Sequence, residues 1–192
     1  MRMVITALAA LVVAGCSAEP PAARPNVPAV SSSAPVSSSA AKEVPKTCGG
    51  LATLGEITEI LNAAVTGQTL PIVGVPEPKI GRTARLDCYY GVPDGQPVTA
   101  AVVTIGLATY TDETAAQRRL ASTIETEREA GAKSSQVPVG PGQGVLLLGA
   151  KRMLVASRGR TTVVITVIPD LLPEDRAANA LSHIAERALT PR

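Results

Sequence analysis

The sequence predicts an α+β domain, an antiparallel sheet of about five strands with helices packed on it, in the order α-β-β-α-β-β-β-α and preceded by a disordered linker. Three observations predict it. Apolar residues recur at helical spacing in three separate segments. Strand-length runs rich in Val, Ile, Leu and Thr lie between them. The links between successive strands are short enough to be hairpins, and hairpins require antiparallel neighbours.

The elements follow in order. Thr53-Leu54-Gly55-Glu56 has capping-box spacing, and Leu54, Ile57, Leu61 and Val65 follow at helical intervals. A first helix is therefore expected over residues 54–64. Residues 66–82 hold Pro71, Pro76, Pro78 and three glycines, and read as a long irregular loop. Its apolar residues Leu70, Ile72, Val73, Val75 and Ile80 imply that part of it packs. The loop either covers one sheet face or forms the lip of an apolar pocket, since loops of this length are often functional.

Residues 83–91 and 98–109 read as strands around the turn Pro93-Asp94-Gly95. The second of these is apolar on both faces, as a strand covered on both sides would be. Thr111 or Asp112 caps a second helix that runs to about Ala130 and stops at Gly131, with Ala116, Leu120 and Ile124 as its stripe. Three short strands are expected around Val145–Leu148, Arg152–Ser157 and Thr161–Ile168, the last two joined at Arg158-Gly159. Pro173 opens a final helix, Glu174 and Asp175 complement its dipole, and Ala177, Leu181, Ile184 and Ala188 form its buried stripe.

Ahead of the domain, Arg2 precedes an apolar stretch from Val4 to Val13 that ends in Val13-Ala14-Gly15-Cys16. The stretch is too short to cross a bilayer, which takes about 20 apolar residues. It reads as a secretory signal. Its last four residues resemble the lipobox of bacterial lipoproteins, a branched apolar residue and two small residues before the cysteine that is acylated. The resemblance implies a signal peptide over residues 1–15, a lipid such as palmitate on Cys16, and a protein tethered to the extracytoplasmic face of the cell membrane. Residues 17–47 are rich in Pro, Ala and Ser and lack apolar periodicity, so residues 16–47 are expected to be a lipidated cysteine and a disordered linker. A flexible chain of that length spans roughly 30 Å, and a polyproline-like one about 100 Å. Residues 48–192 then form one domain of ordinary size.

Charge excludes one class of partner. Of 18 Lys and Arg and 16 Asp and Glu, Arg2, Arg24, Lys42, Lys46, Glu19 and Glu43 precede residue 48, which leaves the domain balanced. Nothing in the composition suggests a nucleic-acid surface. Aromatic residues are scarce (Tyr89, Tyr90 and Tyr110, with no Phe or Trp), so the core is built from aliphatic side chains.

With Cys16 lipidated, Cys48 and Cys88 remain, and an oxidising compartment favours their pairing as a disulfide. The alternative is two free thiols, one of them reactive. A nucleophilic cysteine needs a base nearby, and His183 is the single histidine of the chain. It falls on the last helix with Asn179, Glu186 and Arg187, opposite the apolar stripe, so an exposed helix face is expected. One histidine and two paired cysteines do not make a metal-ligand set.

Gly140-Pro141-Gly142-Gln143-Gly144 lacks the following Lys-Ser/Thr and helix that a phosphate loop needs, and reads as a turn at a sheet edge. Arg118, Arg119, Glu125, Glu127, Arg128 and Glu129 read as a solvated helix face. Lys151, Arg152, Arg158 and Arg160, at the ends of two hairpins, could form a small basic rim.

The first helix just after one cysteine, the strand carrying Cys88-Tyr89-Tyr90, and Val137-Pro138-Val139-Gly140 leading into hairpins resemble small actinobacterial envelope lipoproteins. They are also similar to the extracellular sensor domains of some mycobacterial receptor kinases. The resemblance covers most of residues 48–189 and implies a fold of the Mog1/PsbP type. This chain lacks the tryptophan common after the second cysteine, and has Gln143-Gly144 where an acidic residue is frequent. The resemblance implies a binding or sensing module and transfers no catalytic residue.

The functional expectation is a lipid-anchored, non-enzymatic binding or sensing module of the cell envelope, with no cofactor and no metal. Its partners are the membrane, through Cys16, and an envelope protein or an apolar ligand. The alternative is a carrier of apolar molecules such as envelope lipids, held in a pocket between sheet and helices.

Overall fold

The structure, a computed structural model, describes residues 43–190. Cys16, the signal segment and nearly all of the linker lie outside the described residues. Thr53 opens helix α1 (Leu54–Leu61) through a complete capping box. The Thr53 hydroxyl accepts the Glu56 amide at 3.2 Å, and the Glu56 carboxylate accepts the Thr53 amide at 2.7 Å. That amide, chiefly, holds the Glu56 carboxyl below its usual range, and Arg187 on the last helix adds to the effect from 3.0 Å. The stabilisation is present above the ordinary carboxylate pKa and is lost as pH falls below it. Thr53→Ala removes the cap and should lower stability by about 1 kcal/mol in denaturant melts.

The helix is shorter than the expected 54–64. Asn62 turns left-handed at φ 46° and stops it at Leu61. The Arg176 guanidinium, 115 residues away in sequence, donates to the freed Leu61 carbonyl at 2.6 Å.

Seven strands follow, not about five. They are β1 (Gln68–Gly74), β2 (Arg82–Val92), β3 (Val103–Tyr110), β4 (Lys133–Val139), β5 (Gly142–Leu148), β6 (Arg152–Arg158) and β7 (Thr161–Val167). They form one antiparallel sheet in the order β1-β2-β3-β7-β6-β5-β4. Helix α2 (Glu113–Glu129) connects β3 to β4, and α3 (Glu174–Leu189) follows β7. The element order is therefore α-β-β-β-α-β-β-β-β-α.

The two strands absent from the expectation are the two edges. The segment expected to be an irregular loop contributes β1 and a short 3-10 turn, Pro78–Ile80. Each edge strand carries a proline, Pro71 in β1 and Pro138 in β4. Proline lacks an amide donor, so only an edge strand tolerates it without losing a ladder bond. It also blunts the edge against pairing with another chain. Strand β3 starts five residues later than expected, because Val98–Ala100 coil into a 3-10 turn.

The sheet divides the core into two layers. On its inner face Leu86, Ile105, Leu154 and Ile165 are fully buried against Leu181 and Ile184 of α3. The expected α3 stripe of Ala177, Leu181, Ile184 and Ala188 is buried throughout. Its alanines let the helix lie close to the strands, which fits a core without Phe or Trp. α2 crosses the outer face, where Ala115 and Ala116 pack on Ala108 and Tyr110. Leu120 and Ile124 are only half buried, so α2 covers less than its sequence implied.

Cys48 and Cys88 form a disulfide with Cα atoms 5.5 Å apart, which closes the open alternative of two free thiols. The bond fixes the segment before α1 to the middle of β2. Beside it, the Tyr90 hydroxyl donates to the Ala52 carbonyl at 2.9 Å. Burial raises the Tyr90 pKa well above its usual value, so the side chain stays neutral.

Candidate functional site

Strand register places the β4–β5 turn beside α3. Val139 pairs with Gly142, leaving Gly140-Pro141 as a two-residue connection. Gly140 sits at φ +55°, in the left-handed region. A Cβ there would lie 2.9 Å from a Glu186 carboxylate oxygen and 3.2 Å from an Arg158 guanidinium nitrogen. The left-handed backbone favours glycine here, and the turn lies against the polar face of the last helix.

The result is a groove of about 460 Å³. One wall is Val137, Pro138 and Gly140 of the β4–β5 hairpin, and the other is Ala178, Asn179, Ser182, His183 and Glu186 of α3. The glycine-rich turn and the helix face carrying His183 were separate features in the sequence, yet the fold makes them opposite walls of one site. Asn179, His183 and Glu186 are exposed, as expected. Arg187 points away and pairs with Glu56 at 3.0 Å.

Ser182 was not singled out from the sequence. Its Oγ is buried and has no hydrogen-bond partner among the described residues. A buried hydroxyl without a partner is uncommon and costly. No signal in the sequence could have marked it, because a serine in a helix is ordinary until its surroundings are known.

Other candidate groups disperse. Lys151 and Arg152 lie at one end of β6 and Arg158 and Arg160 at the other, roughly 20 Å apart for seven residues of strand. They form no common basic rim, because the length of β6 separates the two pairs. Arg158 instead approaches the groove and donates to the Leu189 carbonyl at 3.5 Å. The segment 66–82 neither covers a sheet face nor lips this groove. It forms the opposite edge of the sheet and its hairpin loop.

Among the described residues, no three His, Cys, Asp or Glu side chains gather to hold a metal ion, and no helix is long and apolar enough to cross a membrane.

No family model matches the chain, and no curated protein matches it. Among solved structures the chain is similar to the extracellular domain of PknH from Mycobacterium tuberculosis, at 9% identity and a TM-score of 0.41. The match covers 68% of this chain and 90% of that domain. A superposition that loose carries no function from one chain to the other. The envelope-lipoprotein resemblance read from the sequence has no family match behind it.

Proposed function

We propose that this chain is a lipid-anchored extracytoplasmic binding or sensing module, non-enzymatic, whose ligand site is the groove between α3 and the β4–β5 hairpin. The groove of about 460 Å³, walled on one side by the exposed polar face of α3 and on the other by the hairpin, carries this reading. Asn179, His183 and Glu186 supply donors and acceptors, while Val137, Pro138 and Ala178 supply apolar contact. Few precisely placed polar groups on an apolar wall suit recognition of a small polar or peptide-like ligand. The same polar wall favours this reading over a carrier of purely apolar molecules, even though the groove lies between helix and sheet, where such a pocket was expected.

Two experiments test the two halves. For the site, mass spectrometry of material co-purified with the natively processed protein should return a bound species. The double variant Asn179→Ala/His183→Ala should lose it with a stability change within about 0.5 kcal/mol per site, as for most surface substitutions. A species retained unchanged by this variant places the ligand elsewhere. For the anchor, Cys16→Ala should leave the protein unprocessed or release it from the membrane fraction. Normal processing with retained membrane attachment would show that Cys16 is not the anchor.

A further inference from the structure

Exposed large apolar side chains concentrate in one segment of the chain. Among the described residues they are Ile72, Val73, Val75 and Ile80, exposed by 42%, 68%, 75% and 36%. All four lie on β1 or in the hairpin loop that joins it to β2. A hydrogen bond from the Thr111 amide to the Gly81 carbonyl, at 2.8 Å, ties that loop to the start of α2.

Between loop and helix lies a cavity of about 310 Å³, lined by Lys79, Ile80, Ala115, Arg118, Arg119 and Ser122. Three of the six are cations and none is an acid. The ion pairs among the described residues involve neither Lys79 nor Arg118 nor Arg119. The neighbouring acids are engaged. Glu77 pairs with Arg82 at 2.8 Å, Asp87 with Arg85 at 2.6 Å, and Asp112, the acid whose charge Arg118 feels, accepts the Ala115 amide at 2.8 Å. Glu113 lies in the first turn of α2, and Glu125 and Glu129 lie about two turns or more beyond Arg118, toward the far end of the helix.

Protruding branched side chains beside unpaired cations match the boundary of an anionic membrane. There apolar groups enter between headgroups and each Lys or Arg gains from the surface potential. Strand addition by a protein partner fits less well, because Pro71 removes a donor from the edge. We propose that the β1–β2 loop and the adjoining start of α2 form a surface that rests on an anionic lipid bilayer. The inference rests on the membrane-anchored reading above. Residues 17–47 separate the proposed anchor at Cys16 from the domain, so domain and membrane stay tethered to each other. The ligand groove, beside β4 at the other edge of the sheet, would then stay open to the aqueous phase.

The test uses the natively processed full protein, with an environment-sensitive fluorophore on Val75→Cys or, as control at the other edge, on Ser135→Cys. Flotation with neutral phosphatidylcholine vesicles is scored first, because a protein that does not float lacks its anchor. That result overturns the anchored reading alone, since the label can still respond to added anionic vesicles. With phosphatidylglycerol in the vesicles, emission at position 75 should shift to the blue and rise, while position 135 stays unchanged. Lys79→Glu, Arg118→Glu and Arg119→Glu should each weaken the response on the order of fivefold, and high salt should abolish it. Equal responses at both positions, a response indifferent to anionic lipid, or indifference to charge reversal overturns the proposal. So does a blue shift without vesicles that grows with protein concentration, which would assign the surface to a second copy of the chain.

Discussion

The double variant Cys48→Ala/Cys88→Ala is expected to lose about 4 kcal/mol of stability, because the bond closes a loop of 40 residues in the unfolded chain. For a domain of this size that corresponds to a fall in melting temperature of roughly 8–16 °C. Alanine is the informative replacement. Cys88 is fully buried and Cys48 nearly so, and serine would add the separate cost of an unpartnered hydroxyl. Reducing the unaltered protein should produce most of the same shift, since the chain-entropy effect needs only the bond to open. The effect should also be local at first. The disulfide attaches the segment before α1 to β2, and α1 itself packs on α3, so hydrogen exchange should rise earliest from Cys48 to Leu61. Two alkylatable thiols in the native protein would remove the basis of the prediction.

What the sequence makes legible follows from how local each signal is. The capping box at Thr53 and Glu56, the Asp112 cap and the α3 stripe are contained within a few residues, and all three stand in the structure. The antiparallel α+β class, the Pro93-Asp94-Gly95 turn and the Arg158-Gly159 hairpin likewise needed no distant information. The missed strands failed for a shared reason. Gln68–Gly74 and Lys133–Val139 carry prolines and mixed polarity because they are edges, and an edge strand loses the apolar alternation that identifies a strand. The groove was missed for a different reason. Helical periodicity says that Asn179, His183 and Glu186 share a polar face, but it cannot say that residues 137–140 lie against that face. Gly140 held the clue, since its left-handed turn has no side chain where Glu186 comes close, yet the clue needs the partner's position to be read.

Tyr90 ties the segment before α1 to the sheet, and its truncation is expected to be the other large effect. It is among the largest fully buried side chains, on the inner face of β2 two residues from Cys88. Tyr90→Ala should cost about 3–5 kcal/mol, the usual range for removing a buried aromatic ring. Tyr90→Phe separates packing from the hydrogen bond. It keeps the ring but leaves the Ala52 carbonyl without its donor at 2.9 Å, and should cost about 1–3 kcal/mol. The pair of variants also predicts a difference in alkali. Burial raises the folded-state pKa of Tyr90 above that of the unfolded chain. Its contribution is therefore complete below the unfolded value of about 10 and is lost as pH rises beyond it. Chemical denaturation from neutral pH into this alkaline range should show the unaltered protein losing stability that Tyr90→Phe does not lose. Parallel curves for the two proteins would mean that the hydroxyl is not held neutral against Ala52.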